Sequence, residues 1–328
     1  MRRVVSYVLI GLGVFAVVLG LLLRSYAYPR LAKVPLDVDE VSVAQGSGVT
    51  SVVVAEVGDV PTPQIRHDLD VTSTTHVTGD LTQPEVVDGG DVAAWVEATK
   101  TVDDASGILI DASLRELCLD RHTSEAVACG GQYISVTQGE RITADPDTVQ
   151  QPGLSFKFPF GTEQRGYRTY DVSLRRAVEA RFDGEDTVEG VAVYRFVADI
   201  RPTRIDQQEV PGSLVGRDEP SVTADRYYTD RRTLWVEPKT GVIVAAEDAG
   251  KQELVAPGQR QGEGTTVYDG VLRLNDKTVA ANVKDARDNI GKLALLTFWP
   301  TVLLIVGGVV LLAGVVLLLV TGRRSRQG

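Results

Sequence analysis

Cysteine, histidine, methionine and aromatic residues are all scarce in this 328-residue chain, with two Cys, three His, one Met and 6% Phe, Trp and Tyr. The scarcity of cysteine and histidine excludes several chemistries. Cys118 and Cys129, with His122 alone between them, fall short of the four ligands of a zinc site. His67, His76 and His122 lack partners at metal-binding spacing and read as ordinary surface or strand histidines. There is no G-x-S-x-G elbow, and no cysteine stands beside a histidine in an active-site context. Gly46-Ser47-Gly48 lacks the third glycine and the βαβ setting of a phosphate loop. Asp183-Gly184-Glu185-Asp186 is too short to supply the oxygen shell of a calcium ion and reads as a hairpin turn. With neither a nucleophile nor an acid–base constellation, the chain reads as a non-enzyme without a cofactor.

Charge is missing from two long stretches, Val4–Leu23 and Leu293–Val320. A bilayer core of roughly 30 Å needs about 20 helical residues, and both stretches reach that length. Two spans put both termini on one side of a membrane and the whole middle on the other. Arg2 and Arg3 at one end, with Arg323, Arg324 and Arg326 at the other, favour cytoplasmic termini and an extracytoplasmic middle. The middle also carries Arg24, Arg30 and Lys33 early and Lys284, Arg287 and Lys292 late, but long domains translocate largely regardless of charge. Met1-Arg2-Arg3 and Ser25-Tyr26-Ala27 would suit a cleaved signal peptide. The apolar stretch is too long for a signal h-region and ends in Arg24, which favours an uncleaved anchor. No cysteine follows it for lipoprotein processing. The expected order is a transmembrane anchor at 1–24, a β-rich domain at 25–292, a transmembrane helix at 293–321 and a basic cytoplasmic tail at 322–328.

The chain has a formal net charge of −10 although its flanks are basic, so the middle is more acidic still. Such a surface repels phosphate backbones and excludes nucleic acid as a partner. The expected partners are the lipid bilayer, further copies of the chain or other envelope proteins, and a lipid ligand. In an oxidising compartment Cys118 and Cys129 read as one disulfide closing a hairpin, worth about 3 kcal/mol in the chain-entropy account.

The middle is rich in β-branched residues at period two. Val71–Thr78, Ala94–Val102, the segment from Ile108, Val188–Val197, Thr233–Val236 and Val242–Ala245 read as strands. Turns are expected at Asp103–Gly107, Asp183–Asp186 and Glu237–Gly241. Helix is expected only at Leu174–Arg181 and Val279–Lys292, and loops at Asp37–Ser51, Asp145–Gly153 and Gln252–Thr265. The fold class is therefore mainly β: an antiparallel sandwich or barrel flanked by the N- and C-terminal transmembrane helices. Gly13 and Gly20 in the first span, and Gly307 and Gly314 in the second, lie seven residues apart on one helix face and offer stripes for close helix packing. Trp299-Pro300 reads as the outer interface of the second span.

Three motifs stand in order: Phe156-Lys157-Phe158-Pro159-Phe160 followed by Glu163, Tyr167, Tyr170 and Asp171; Gly190…Tyr194-Arg195-Phe196; and Trp235-Val236-Glu237-Pro238-Lys239-Thr240-Gly241. Together they resemble the actinobacterial porin PorA-like family, whose members are envelope proteins with one span at each end. The resemblance covers nearly the whole chain and implies a role in envelope permeability or channel formation. The residues themselves read as structural. Phe156, Phe158 and Phe160 alternate and are expected on one face of a strand, with Pro159 marking an edge or bulge. Tyr170-Asp171 and Tyr194-x-Phe196 are expected to pack across strands. Short strand segments, polar on the alternate face, favour a tethered, water-exposed domain over a lipid-inserted barrel. Two other functions fit that layout, a carrier of lipid or another apolar ligand and a non-enzymatic envelope scaffold.

Overall fold

The computed structural model describes residues 2–57, 60–87, 90–138, 141–144 and 150–324. Two compact units emerge: the terminal segments Met1–Lys33 and Arg287–Gly328 form one, and Val34–Ala286 the other.

In the terminal unit, helix α1 (Arg2–Leu22) continues through a π-helical turn, Leu23–Ala27, into the short α2 (Tyr28–Leu31). Helix α4 (Asp276–Arg324) begins in the other unit and supplies the second apolar helix here. Both are long and apolar enough to cross a membrane. The four expected glycines all lie where α1 and α4 touch. A Cβ built on Gly13 would fall 2.6 Å from the backbone nitrogen of Leu311, and one on Gly314 would fall 2.9 Å from that of Ile10. One on Gly307 would meet the Ala16 Cβ at 2.8 Å, and one on Gly20 the Pro300 carbonyl oxygen at 3.0 Å. Such an approach is open only to residues without a side chain, and it gives the pair dispersion contacts that lipid tails cannot replace.

The larger unit is one antiparallel sheet curled into a half-barrel. Its strands are β1 (Asp39–Val57), β2 (Val60–Gly79), β3 (Val92–Asp103), β4 (Leu109–Asp120), β5 (Ala126–Val127), β6 (Tyr133–Gln138) and β7 (Arg141–Ala144), with the one-turn helix α3 (Pro84–Val87) before β3. They are followed by β8 (Tyr167–Asp171), β9 (Arg176–Val188), β10 (Val191–Pro211), β11 (Ser221–Val236), β12 (Ile243–Val255) and β13 (Thr265–Leu274). The spatial order is β7-β6-β4-β3-β2-β1-β13-β12-β11-β10-β9-β8, with β5 also on β4. Every neighbour is a sequence neighbour joined by a short connection except at the centre, where β1 pairs with β13, and at β4, which holds both β5 and β6. The far ends of the sheet meet at a single residue. Leu154 forms an antiparallel bridge to Glu125 and a parallel bridge to Thr169 of β8. Its N–H donates to the Arg168 carbonyl (2.8 Å), and its own carbonyl accepts from Tyr170 N–H (2.8 Å). The curled sheet is thus stitched across at one level.

Disulfide Cys118–Cys129 ties β4 to the segment after β5, with Cα atoms 6.0 Å apart. The turns at Asp103–Gly107 and Glu237–Gly241, and the helical pattern at Val279–Lys292, fall where the sequence places them.

Several expectations fail, each for a local reason. Leu174–Arg181 is not helical: the Asp171 carboxylate accepts the Leu174 N–H (2.8 Å) and Arg175 takes φ 51°, which reverses β8 directly into β9. Asp183–Asp186 is not a turn but lies within β9, where Gly184 at φ 135° makes a bulge opposite Arg195. The true hairpin turn is Glu189-Gly190, both at positive φ (46° and 79°), as a two-residue loop requires. Asp37–Ser51 is mostly strand, because β1 runs from Asp39 through a bulge near Gly46–Val49. Gln252–Thr265 is a loop only from Ala256 to Gly264, and of Asp145–Gly153 only residues 150–153 lie among those described. The strands are also longer than their apolar runs suggest: β2 has 20 residues and β10 has 21.

Replacing Gly13 and Gly314 together with Leu is expected to reduce cysteine cross-linking between the two apolar helices several-fold. Cross-linking equal to wild type would rule out the packed pair.

Candidate functional site

The three sequence motifs, distant along the chain, converge at one end of the half-barrel. The Phe156–Phe160 segment is not a strand; it lies as irregular chain, outside the sheet ladder, against the turn after β11. Glu237 builds that turn. Its buried carboxylate accepts the N–H groups of Lys239 (3.1 Å) and Thr240 (2.7 Å) and the Thr240 hydroxyl (2.6 Å). Gly241 closes it at φ 75°. The turn then receives the aromatic segment through three backbone bonds: Phe158 N–H to Gly241 O (2.8 Å), Gly161 N–H to Lys239 O (3.1 Å) and Thr162 N–H to Pro238 O (2.7 Å). A Cβ on Gly241 would lie 1.9 Å from the Phe158 carbonyl oxygen, so this docking requires glycine.

The side chains divide between two clusters, which corrects the expectation of one common face. Phe158, 1% exposed, stacks on Phe196 (4.7 Å between ring centres) and meets the edge of Tyr167 (5.2 Å). Leu154, Ala180, Leu234 and Val236 complete that cluster. Phe156 and Phe160 instead join Trp95, Leu119 and Val34, with Phe156 and Trp95 5.2 Å apart. The segment can serve both because, freed from strand pairing, it need not keep the strict up–down alternation of a pleat. Tyr194 packs edge-on against Phe182 (5.5 Å), and Phe182 against Phe196 (6.0 Å), so the cross-strand pairing expected of Tyr194 and Phe196 is realised. The remaining motif residues have supporting places. The Tyr167 hydroxyl accepts the Glu163 N–H (2.8 Å), the Pro159 carbonyl accepts the Thr162 hydroxyl (2.8 Å), and Gly190 sits in the β9–β10 turn. The Trp235 indole donates to Asp186 (3.1 Å). Tyr170 is buried with its hydroxyl unbonded.

Lys157 is the chemically unusual member. Its ammonium is buried over the Phe160 ring, 3.6 Å from the centroid, with no hydrogen-bond partner. Burial lowers its pKa to about 7, an effect opposed by the charge of Asp285 in α4.

Asp171 leads from the aromatic cluster into a second feature that the motifs do not mark. Alternate residues of β11 from Ala224 to Val236 share its buried face: Ala224, Arg226, Tyr228, Asp230, Arg232, Leu234 and Val236. The ends of this row are apolar and its middle is ionisable. Arg232 gathers three carboxylates, donating Nε to Asp248 (2.8 Å) and Nη2 to Asp171 (3.2 Å), and standing 3.5 Å from Asp230. The Tyr228 hydroxyl lies 3.4 Å from Asp171. Further round the curl Arg115 of β4 pairs in two places with Glu97 of β3 (2.7 and 2.9 Å). Asp111 of β4 and Arg226 of β11 sense each other's charge although five strands separate them in the sheet order. The result is a belt of charge across the inside of the curled sheet.

Electrostatics follow from that enclosure. Burial, then the charges of Asp248 and Asp171, push Asp230 up to about 8, while Arg232 holds Asp248 below its ordinary value against the cost of its burial. Burial foremost, then nearby carboxylates, raises Tyr228 and Tyr268. Sequence reasoning missed this belt because Arg226–Arg232 reads R-Y-Y-T-D-R-R, polar on both parities. The available signal was parity alone, since Arg226, Tyr228, Asp230 and Arg232 share theirs with Leu234 and Val236.

His67, His76 and His122 lie near Thr50, Asp39 and Asp91. No cluster of three or more metal-ligating side chains occurs among the described residues.

A curled antiparallel β unit and two terminal helices long and apolar enough to cross a membrane define the class, a mainly β protein with apolar helical ends. The family profile described as Porin PorA matches residues 5–316, so the chain belongs to that family. A Porin PorA of Corynebacterium amycolatum is 27% identical over 329 aligned residues, covering 80% of this chain and 83% of that protein. A Porin PorA of Corynebacterium resistens is 24% identical over 422, covering 100% and 99%. Membership and the apolar helices together point to a membrane location.

Phe158→Ala is expected to destabilise the protein by about 3–5 kcal/mol, the range for emptying an aromatic core site; an unchanged thermal melt contradicts its place in the core. Lys157→Met should stabilise the protein at pH 7. The folded state disfavours the Lys157 proton that the unfolded chain holds, so wild-type stability from this group rises between about pH 7 and about pH 10, and the advantage of Met shrinks over the same window. Denaturant midpoints across that range check the sign.

Proposed function

We propose that this protein is a non-enzymatic envelope component that spans the membrane twice, keeps its termini in the cytoplasm and holds residues 25–292 outside, where it contributes to envelope permeability. The belt inside the curled sheet carries this reading: an ionisable lining suits water-soluble solutes, as polar interiors do in porins. In the belt, Glu97, Asp111, Asp171, Asp230 and Asp248 outnumber Arg115, Arg226 and Arg232, which favours cations. The two Corynebacterium relatives, both Porin PorA, support the same direction. Two helices enclose no lumen, so conduction in this reading needs several copies assembled around their helix pairs. Full-length protein reconstituted in planar bilayers should show stepwise, cation-preferring currents. Repeated silence from folded protein overturns the proposal.

A second reading, handling of an apolar ligand, draws on a different observation. Val49, Val53, Leu69 and Val71 form an apolar cluster with Ile108, Ile110, Tyr268 and Leu272 beside the belt. Lipid co-purified with the full-length protein, and lost on Leu69→Asp, would favour this reading over conduction.

A further inference from the structure

We infer that Asp230 and Asp248 share one proton, and that this proton locks β8 to β11 and β12 inside the curled sheet. The Asp230 side chain is 0% exposed, yet neither carboxylate oxygen receives a hydrogen bond from any donor. Its nearest cation is Arg232 at 3.5 Å, and that guanidinium is already committed to Asp248 and Asp171. Gly250 marks how closely the groups converge. A Cβ built there would lie 3.3 Å from the Tyr268 ring, 3.6 Å from Asp248 Oδ1 and 3.9 Å from Asp230 Oδ1. Three carboxylates around one guanidinium leave excess negative charge beside an Asp230 that water does not reach, and a proton is the smallest group that relieves it. Placed between two carboxyl groups, it also supplies the donor that Asp230 lacks.

Charged or titratable groups reach the pair from several elements, while β10 places the apolar Ile200 opposite Asp230. Asp171 comes from β8, Tyr228 and Arg232 from β11, and Tyr268 with the outward Asp269 from β13; Asp111 of β4 acts on Tyr268 across the interior. Asp171 is the hinge of the lock. It holds β8 to β11 through Arg232 and Tyr228, and its Oδ1 shapes the turn into β9. With the proton gone, Asp230 and Asp248 repel each other and compete with Asp171 for Arg232, so the β8 edge loosens. The upward push on Asp230 places the release near pH 8. The linkage sign is opposite to that of Lys157: the folded state holds a proton that the unfolded chain has lost, so this contribution falls as pH rises from about 4 to about 8.

The test uses full-length protein in lipid nanodiscs. Infrared difference spectra between about pH 6 and about pH 9 should show a protonated carboxyl band that disappears at the higher pH. The band should be absent from Asp230→Asn at both values and retained by the surface control Asp269→Asn. Hydrogen exchange should show β8 and β12 amides losing protection by up to about tenfold per pH unit as the pH rises toward about 8, the limit for one proton released, and levelling off above it. Asp230→Asn, which carries a permanent donor, should remove that dependence. The proposal is overturned by a wild-type spectrum without the band at pH 6, or by β8 protection that does not change with pH. If Asp230→Asn does not fold, the wild-type spectrum and Asp248→Asn decide: a band unaffected by the latter also overturns it.

Discussion

One contact organises the β unit: Phe158 against the turn that ends at Gly241. The backbone bonds between them fix the segment that carries Phe156, Lys157 and Phe160, and the Phe158 ring fills the space between Phe196 and Tyr167. Leu154, four residues earlier, is held in the same run of chain and joins the two ends of the sheet. If the turn could not accept Phe158, the stitch at Leu154 would lose its anchor, and the curled sheet would keep two exposed edges. Glu237, Thr240 and Gly241 therefore matter as a shaped receptor for another part of the chain. A buried carboxylate accepting three donors inside its own turn makes that receptor rigid before the aromatic segment arrives.

The charge belt works against stability in the ordinary sense. Removing carboxylates and a guanidinium from water costs several kcal/mol per ion, and their mutual attraction repays this only with good geometry. Asp171 and Arg232 meet that condition, with Tyr228 in attendance; Asp230 does not. Placed between the aromatic cluster at one end of β11 and Ala224 with Leu254 at the other, the belt divides the interior into zones that cannot exchange register. A one-residue slip of β11 would drive Leu234 and Val236 out of the core and Arg231 into it.

Much of this was legible in the sequence, and the failures share a cause. The apolar helices, the cysteine pair, the β3–β4 and β11–β12 hairpins and the glycine contacts between α1 and α4 all rest on local patterns: length, spacing or turn chemistry. The motif residues were found as well, but their partners were not, because Phe158 meets Gly241 and Phe196 only through the fold. Reading Phe156, Phe158 and Phe160 as one strand face assumed pairing that the segment never makes. The turn assigned to Asp183–Asp186 shows the limit of composition: Asp and Gly mark bulges as readily as hairpins, and the actual loop, Glu189-Gly190, carries the weaker signal. The long strands were shortened in the reading wherever both faces are polar, which is also where the belt lies.

The pairing of β1 with β13 has a consequence in time. Ala44 and Leu274 are neighbours in the finished sheet but stand at opposite limits of the strand sequence. A chain emerging from the ribosome can build β1 to β4 as nested hairpins early, yet β1 must wait with one side unpaired until nearly all of the β unit has been made. Closing so long a loop is slow, and an edge held open for that interval is an invitation to aggregation or to a chaperone. β13 runs directly into α4, so the strand that completes the sheet and the long apolar helix leave the ribosome almost together.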